Sequence, residues 1–349
     1  MVEKTVSTPK MKRVGLNGDS AVALAAKQCN VDFIAAYPIT PQTIIVERLS
    51  DYVYNGELDA AFVPVESEHS ALSACVGASL TGARVFTATA SQGLALMYEI
   101  LYIASSLRTP IVMALGNRAF SAPINIHASH DDAYAARDAG WIELFSENVQ
   151  EAYDLTIQAF KIAEDEEVLL PAIVNLDGFV LTHSLEQLYI FNDEDVKKFL
   201  PSRYPIYKYN LDFEKPYTYG PLAFFDYYME LKRQQAEVMK NAYKVAKKVF
   251  KEFSEYSGRE YKPIKTYGME DAEVAVVSLG STSGTVRYVA KKLREKGEKV
   301  GAISLTLYRP FPVDEFLEAV KGVKFWQLWI GVIPLALLVP HYSAIFHLP

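Results

Sequence analysis

A regular alternation constrains this chain more than any other feature. Short apolar runs recur at residues 31–37, 59–65, 84–89, 110–115 and 168–176, and the first three pass through a turn into a stretch of good helix formers. Apolar runs without a period of two belong to strands buried on both faces. Such strands alternating with helices predict an α/β protein whose mainly parallel sheet carries helices on both faces. Ligands of such sheets bind beyond the carboxyl ends of the strands. Thr40, Glu68, Ser91, Gln92 and Arg118 each fall just past a strand end, so they are predicted to share one edge. Every one of them also has a structural use open to it. Thr40 reads as a helix N-cap with Pro41 at the first helical position, where a missing N–H costs nothing. Glu68, like Glu66, lies in a first helical turn, where a carboxylate complements the macrodipole. Arg118 could serve a surface salt bridge.

With 349 residues, half of them apolar, the chain can bury the cores of two domains. Its 35 basic and 42 acidic residues give a formal charge of -7 without a long basic run, which argues against sequence-independent nucleic-acid binding. Cys29 and Cys75 stand far apart in helical stretches, so no disulfide framework is expected and a reduced, cytoplasmic setting fits. Two thiols cannot supply the four thiolates of a typical iron–sulfur cluster, and no His-x-x-x-His spacing suggests a metal site. Residues 1–11 read as a flexible lead-in rather than a signal peptide.

An upstream helix is read as starting from a cap at Asp19. From residue 185 to 270 the pattern changes to an irregular, Tyr- and Pro-rich arm, which could face a partner, and then to a long amphipathic helix. A second α/β unit opens at residue 271, and its G-S-T-S-G turn could serve as a plain strand-to-helix turn or hold an anion. After residue 324 the sequence F-W-Q-L-W-I-G-V-I-P-L-A-L-L-V-P is uncharged, yet short for a membrane span. Codons permitted for it, shifted by two bases, can encode L-A-V-M-D-R-G-Y-S-L-G-S-S-G-P, so a frameshift would account for this tail.

Six motifs occur in order: Y-P-I-T-P-Q-T (37–43), E-S-E-H-S-A (66–71), T-A-S-Q-G (89–93), N-R-A-F-S-A-P-I-N-I (117–126), A-R-D-A-G-W (136–141) and Y-R-P-F-P (308–312). Through them the chain resembles, over about residues 12–324, the alpha subunits of pyruvate:ferredoxin oxidoreductases. The resemblance implies a thiamine-diphosphate enzyme to which this chain contributes a pyrimidine-binding domain (12–184) and a transketolase-C-like domain (271–349). Partner subunits of beta, gamma and delta type would supply the diphosphate and Mg2+ site and the iron–sulfur clusters. Consistent with that division, the only Gly-Asp pair, Gly18-Asp19, lacks the following Gly of a G-D-G magnesium motif.

The implied reaction takes pyruvate and coenzyme A to acetyl-CoA and carbon dioxide, with electrons passing to ferredoxin. Glu68 would contact the pyrimidine, hydrogen-bonding a ring nitrogen so that the exocyclic nitrogen takes the proton from the thiazolium carbon; an apolar surrounding that raised its pKa would help. Thr40 and Arg118 would meet the 2-oxoacid carboxylate, Thr40 through its hydroxyl and the free N–H groups of the helix it caps, Arg118 through paired donors. Ser91 and Gln92 would wall the cofactor, Glu66 would end the strand or make an ion pair, and His127 is given no role. The A-P-I-N segment leans toward pyruvate. The alternatives are a subunit acting on branched-chain or other 2-oxoacids, and a truncated or frame-shifted chain that only binds partners.

Overall fold

The computed structural model describes residues 9–121, 123–201, 214, 216, 218–220 and 222–329. In chain order it comprises β1 (Lys12–Leu16), α1 (Gly18–Gln28), β2 (Phe33–Ala36), α2 (Thr43–Tyr54), β3 (Ala61–Pro64), α3 (Glu68–Leu80), β4 (Val85–Thr89), α4 (Ser91–Leu96), α5 (Tyr98–Ser106) and β5 (Ile111–Asn117). Next come α6 (Asp131–Ala136), β6 (Ile142–Phe145), α7 (Val149–Ala163), β7 (Ala172–Asp177), β8 (Glu186–Ile190) and α8 (Asp193–Phe199). The remainder is α9 (Tyr228–Ser257), β9 (Ile264–Tyr267), β10 (Val274–Leu279), α10 (Thr282–Arg294), β11 (Val300–Leu305), β12 (Leu307–Arg309), α11 (Val313–Ala319) and β13 (Phe325–Trp329).

The main sheet has the order β12-β6-β7-β5-β4-β2-β3, and all its pairings are parallel except that of β12 with β6. The predicted mainly parallel α/β sheet is therefore present. Its strands in chain order run from β2 outward to β3 and then resume on the opposite side of β2 with β4. That reversal is a topological switch point, where the loops after neighbouring strands diverge and leave a crevice. Helices α1, α2 and α7 pack on one face and α3 to α5 on the other, giving two apolar cores. Helix α9 covers α7 through Val238, Ala242, Val245, Val249 and Phe253, a helical stripe, and stops at Gly258, whose φ of +72° suits glycine.

A second, four-stranded sheet, ordered β13-β10-β11-β9, is locked to the first. Strand β12 crosses over to the large sheet, and Asp177 at the end of β7 accepts the Ser281 N–H at 2.9 Å and the Ser281 hydroxyl at the start of α10. His130 Nε2 lies 2.6 Å from the same carboxylate. The G-S-T-S-G turn is thus tied to Asp177. Among the described residues no helix is long and apolar enough to cross a membrane. The tail anomaly lies outside the described residues beyond Trp329; Phe325–Trp329 adds a parallel strand beside β10.

Three expectations are corrected. Asn17, not Asp19, caps α1: its side chain accepts the Ser20 N–H at 2.8 Å, and Gly18 is already helical against the Leu181 carbonyl, leaving Asp19 inside the first turn. Thr40 is not an N-cap and Pro41 not a first helical residue. A turn closed by Gln42 N–H to Ile39 C=O at 2.9 Å comes first, and α2 starts at Thr43. The stretch after residue 185 is not irregular at its outset: E-Q-L-Y-I forms β8, antiparallel to β1, and α8 follows. Most of the Tyr-rich arm, over 202–213, lies outside the described residues, while Phe224, Phe225 and Met229 beside it are exposed.

Arg84, just before β4, is buried and spans the layers. Its Nε and Nη2 donate to Glu164 at 2.8 and 2.7 Å and its Nη1 to the Cys29 carbonyl at 2.6 Å. Removing one member of such a pair strands the other charge in a low-dielectric interior, at a cost of about 3–5 kcal/mol. Arg84→Met is accordingly expected to lower the unfolding free energy by that order, whereas breaking the exposed Lys321–Glu318 pair should change it by less than about 1 kcal/mol, as denaturant titration would measure.

Candidate active site

All five residues predicted at the sheet edge do meet there. Helix α3 is capped by Ser67, whose hydroxyl accepts the Ser70 N–H at 3.2 Å, and this puts Glu68 in the first turn, only 7% exposed. Glu66 stays in solvent and takes the Ser70 hydroxyl, which holds its carboxyl below the usual range; it makes a local hook rather than an ion pair. The two carboxylates of E-S-E-H are thereby distinguished by the cap at Ser67 that lies between them.

Glu68 faces Gly93. A Cβ built on Gly93 would lie 2.8 Å from Glu68 Oε1 and 2.4 Å from Thr89 Oγ1, so only glycine leaves room for the carboxylate. Two residues before Gly93, Ser91 has a φ of +38°, its hydroxyl donates to the Ala119 carbonyl at 2.7 Å, and it is fully buried. Gln92 points the other way: its Nε2 donates to Ser121 at 2.9 Å and its Oε1 accepts from Arg118 Nη2 at 2.5 Å.

Arg118 leaves the end of β5 and is 6% exposed. Its Nη1 donates to the Thr40 carbonyl, so Thr40 enters the network through its backbone while its side chain is exposed. The turn bearing Thr40 is seated by Pro41, which presses on Gly116 and Gly178. Burial lowers the Arg118 pKa, opposed by the carboxylates of Asp132 and Glu68, so both anions share its electrostatic field. Yet among the described residues no carboxylate lies within salt-bridge distance of the guanidinium, and its Nε–H is buried without a partner. The arrangement is a buried cation held by two neutral carbonyl acceptors.

Two residues that tie the site together escape the sequence reading. Asp132, fully buried, accepts N–H groups from Ser91 and Arg118, and burial pushes its carboxyl up to about 6. Asn117 joins it to β7 by donating to Asp132 at 3.0 Å and to Asn175 at 2.9 Å. The only sequence signal for Asp132 is the doubled acid of S-H-D-D, which reads as helix-start chemistry. Among the described residues no group of three or more His, Cys, Asp or Glu could hold a metal ion.

The family described as pyruvate flavodoxin/ferredoxin oxidoreductase, thiamine-diphosphate binding, matches residues 24–251, and the pyruvate:ferredoxin oxidoreductase core domain II matches residues 272–327. The chain belongs to the pyruvate:ferredoxin oxidoreductase family. It is similar to the pyruvate synthase subunit PorA of Thermotoga maritima, at 50% identity across 96% of this chain and 85% of the relative. It is also similar, at 44% identity over 88% of this chain and 78% of the relative, to the ketoisovalerate oxidoreductase subunit VorA of Pyrococcus horikoshii. Among solved structures, a 2-oxoglutarate:ferredoxin oxidoreductase from Magnetococcus marinus shares the fold, with a TM-score of 0.72, 23% identity and coverage of 97% of this chain. The chain spans 61% of that structure's length.

The residues fit the coenzyme of this family. No described side chain donates to Glu68, so its carboxylate is free to accept from a bound ring, and Gly93 clears the space beside it. Gly93→Ala is expected to push the carboxylate aside and weaken thiamine-diphosphate binding to the assembled complex by about tenfold or more, read by calorimetric titration.

Proposed function

We propose that this chain is the alpha subunit of a pyruvate:ferredoxin oxidoreductase, in which it supplies the pyrimidine side of a shared thiamine-diphosphate site and the carboxylate-binding arm for the 2-oxoacid. The complex converts pyruvate and coenzyme A to acetyl-CoA and carbon dioxide and passes two electrons to ferredoxin. The observation that carries the reading is Arg118. A buried guanidinium that has no salt-bridged carboxylate among the described residues is unfavourable until an anion arrives, and the acid end of a 2-oxoacid is such an anion.

Bound thiamine diphosphate supplies a nucleophilic carbon and an electron sink for decarboxylation. Glu68 holds a proton at the pyrimidine ring nitrogen, and Gly93 keeps that carboxylate in place. Arg118 fixes the substrate carboxylate with paired donors, oriented by Gln92 and by the Thr40 carbonyl. Ser91 shapes the wall through its constrained backbone, since its hydroxyl is already engaged. Thr40 retains an exposed hydroxyl, so it meets substrate without the helix N–H groups expected of a cap.

Beta, gamma and delta-type subunits would carry the Mg2+ and diphosphate site and the iron–sulfur clusters. The two cysteines, both free and buried, support this placement, because neither can serve as an accessible cluster ligand. They also suit a cytoplasmic, reducing setting. The exposed Phe224, Phe225 and Met229 beside the arm offer apolar surface to a partner subunit.

The similarity to a ketoisovalerate oxidoreductase subunit keeps a second reading, a larger branched-chain 2-oxoacid as substrate, and rates on pyruvate against 2-oxoisovalerate decide between them. In the complex, Glu68→Gln is expected to lower pyruvate-dependent ferredoxin reduction by about a hundredfold or more, because the amide cannot hold the ring proton. Arg118→Ala should mainly raise the pyruvate KM. Unchanged turnover in the first variant, or an unaltered KM in the second, counts against these roles.

A further inference from the structure

Asp132 is a buried anion with no obvious duty in the reaction. Its Oδ2 accepts the backbone N–H groups of Ser91 and Arg118, each at 3.1 Å, while its Oδ1 accepts Asn117 Nδ2 at 3.0 Å and the Ala133 N–H at 2.8 Å. One side chain therefore joins the ends of β4 and β5 to the start of α6, and through Asn117 and Asn175 it reaches β7. A neutral Asn could cap α6 at Ala133 without the desolvation that burying a charge entails. Only a carboxylate accepts on both oxygens, and here two backbone N–H groups converge on the same one.

Those two N–H groups belong to Arg118 itself and to Ser91, the neighbour of Gln92. Ser91 sits in a left-handed backbone conformation that a non-glycine residue rarely adopts, and its neighbour Gln92 is the acceptor that orients the Arg118 guanidinium. Anchoring Ser91 and Arg118 to a single oxygen sets the spacing of Gln92 and Arg118, whose side-chain contact steers the guanidinium together with the Thr40 carbonyl.

We propose that Asp132 is a positioning residue for 2-oxoacid capture: its carboxylate holds the Ser91–Gln92 turn and the Arg118 backbone in the register that aims Arg118 at the substrate carboxylate. This rests on the reading of Arg118 as the substrate contact. Asp132 itself touches neither substrate nor coenzyme.

The test uses the assembled complex. In Asp132→Asn one acceptor oxygen keeps two of the four donors and the amide NH2 is set against the other two, so the pyruvate KM should rise about tenfold or more while the thiamine-diphosphate dissociation constant changes by less than about threefold. In an Arg118→Ala background the same substitution should alter KM by less than about twofold, because the group being positioned is gone. Asn117→Ser provides a milder variant that leaves the carboxylate intact, with an expected KM rise of about threefold that also vanishes in the Arg118→Ala background. Additive effects on KM, or a loss of coenzyme affinity in step with KM, would overturn the proposal and leave Asp132 as a general structural anchor. If Arg118→Ala raises KM but Asp132→Asn and Asn117→Ser do not, the proposal alone fails. If Arg118→Ala leaves KM unchanged, the substrate-contact reading fails and takes the positioning role with it.

Discussion

The site depends on strand β5, whose seven residues are all buried between β4 and β7. A strand paired on both edges and covered on both faces has its backbone groups satisfied and no room for unpaired charge. Polar chemistry is therefore displaced to the strand ends. Asn117 and Arg118 are where β5 emerges, and the loops after β2 and β4 converge on them, bringing the Thr40 carbonyl and Gln92 into contact with the guanidinium. The cation is desolvated because the sheet edge closes around it.

The same economy shapes the acidic half. Glu68 is placed by a helix start, sheltered by the helix it begins and given space by Gly93. The second sheet is fastened beside this edge. Burial works against ionisation of Asp177, but His130 and Ser281 outweigh it and hold the carboxyl below its usual range. Gly280, at φ +61°, can approach that carboxylate so closely only because it has no side chain. The pairs Lys265–Glu151 and Arg287–Glu147 fasten the same interface. The edge of the main sheet is thus clamped beside the loops that carry the site.

Much of this was legible in the chain because uninterrupted apolar runs mark buried strands; β6 (I-E-L-F), broken by Glu143, did not stand out in the same way. Arg118 and Glu68 could be located by counting from a strand end, and both lie at the edge. Thr40 was located but given the wrong local job: Thr-Pro has the pattern of a cap and first helical residue, yet the tertiary seat of Pro41 on Gly116 and Gly178 keeps those residues in a turn. Strands β1 and β8 went unseen because a two-stranded edge ribbon, K-R-V-G-L against E-Q-L-Y-I, has charges and a glycine in place of a continuous apolar run. Asp132 was invisible for a different reason. Its four donors come from three separate segments, so no local pattern distinguishes it from Asp131 beside it.

In the proposed function this chain is an indispensable half of a shared coenzyme site. Reconstitution measures this most directly: pyruvate-dependent ferredoxin reduction by the partner subunits with thiamine diphosphate, Mg2+ and coenzyme A, with and without this chain. The prediction is that turnover appears only when the chain is added. Equal turnover in its absence would contradict the central claim.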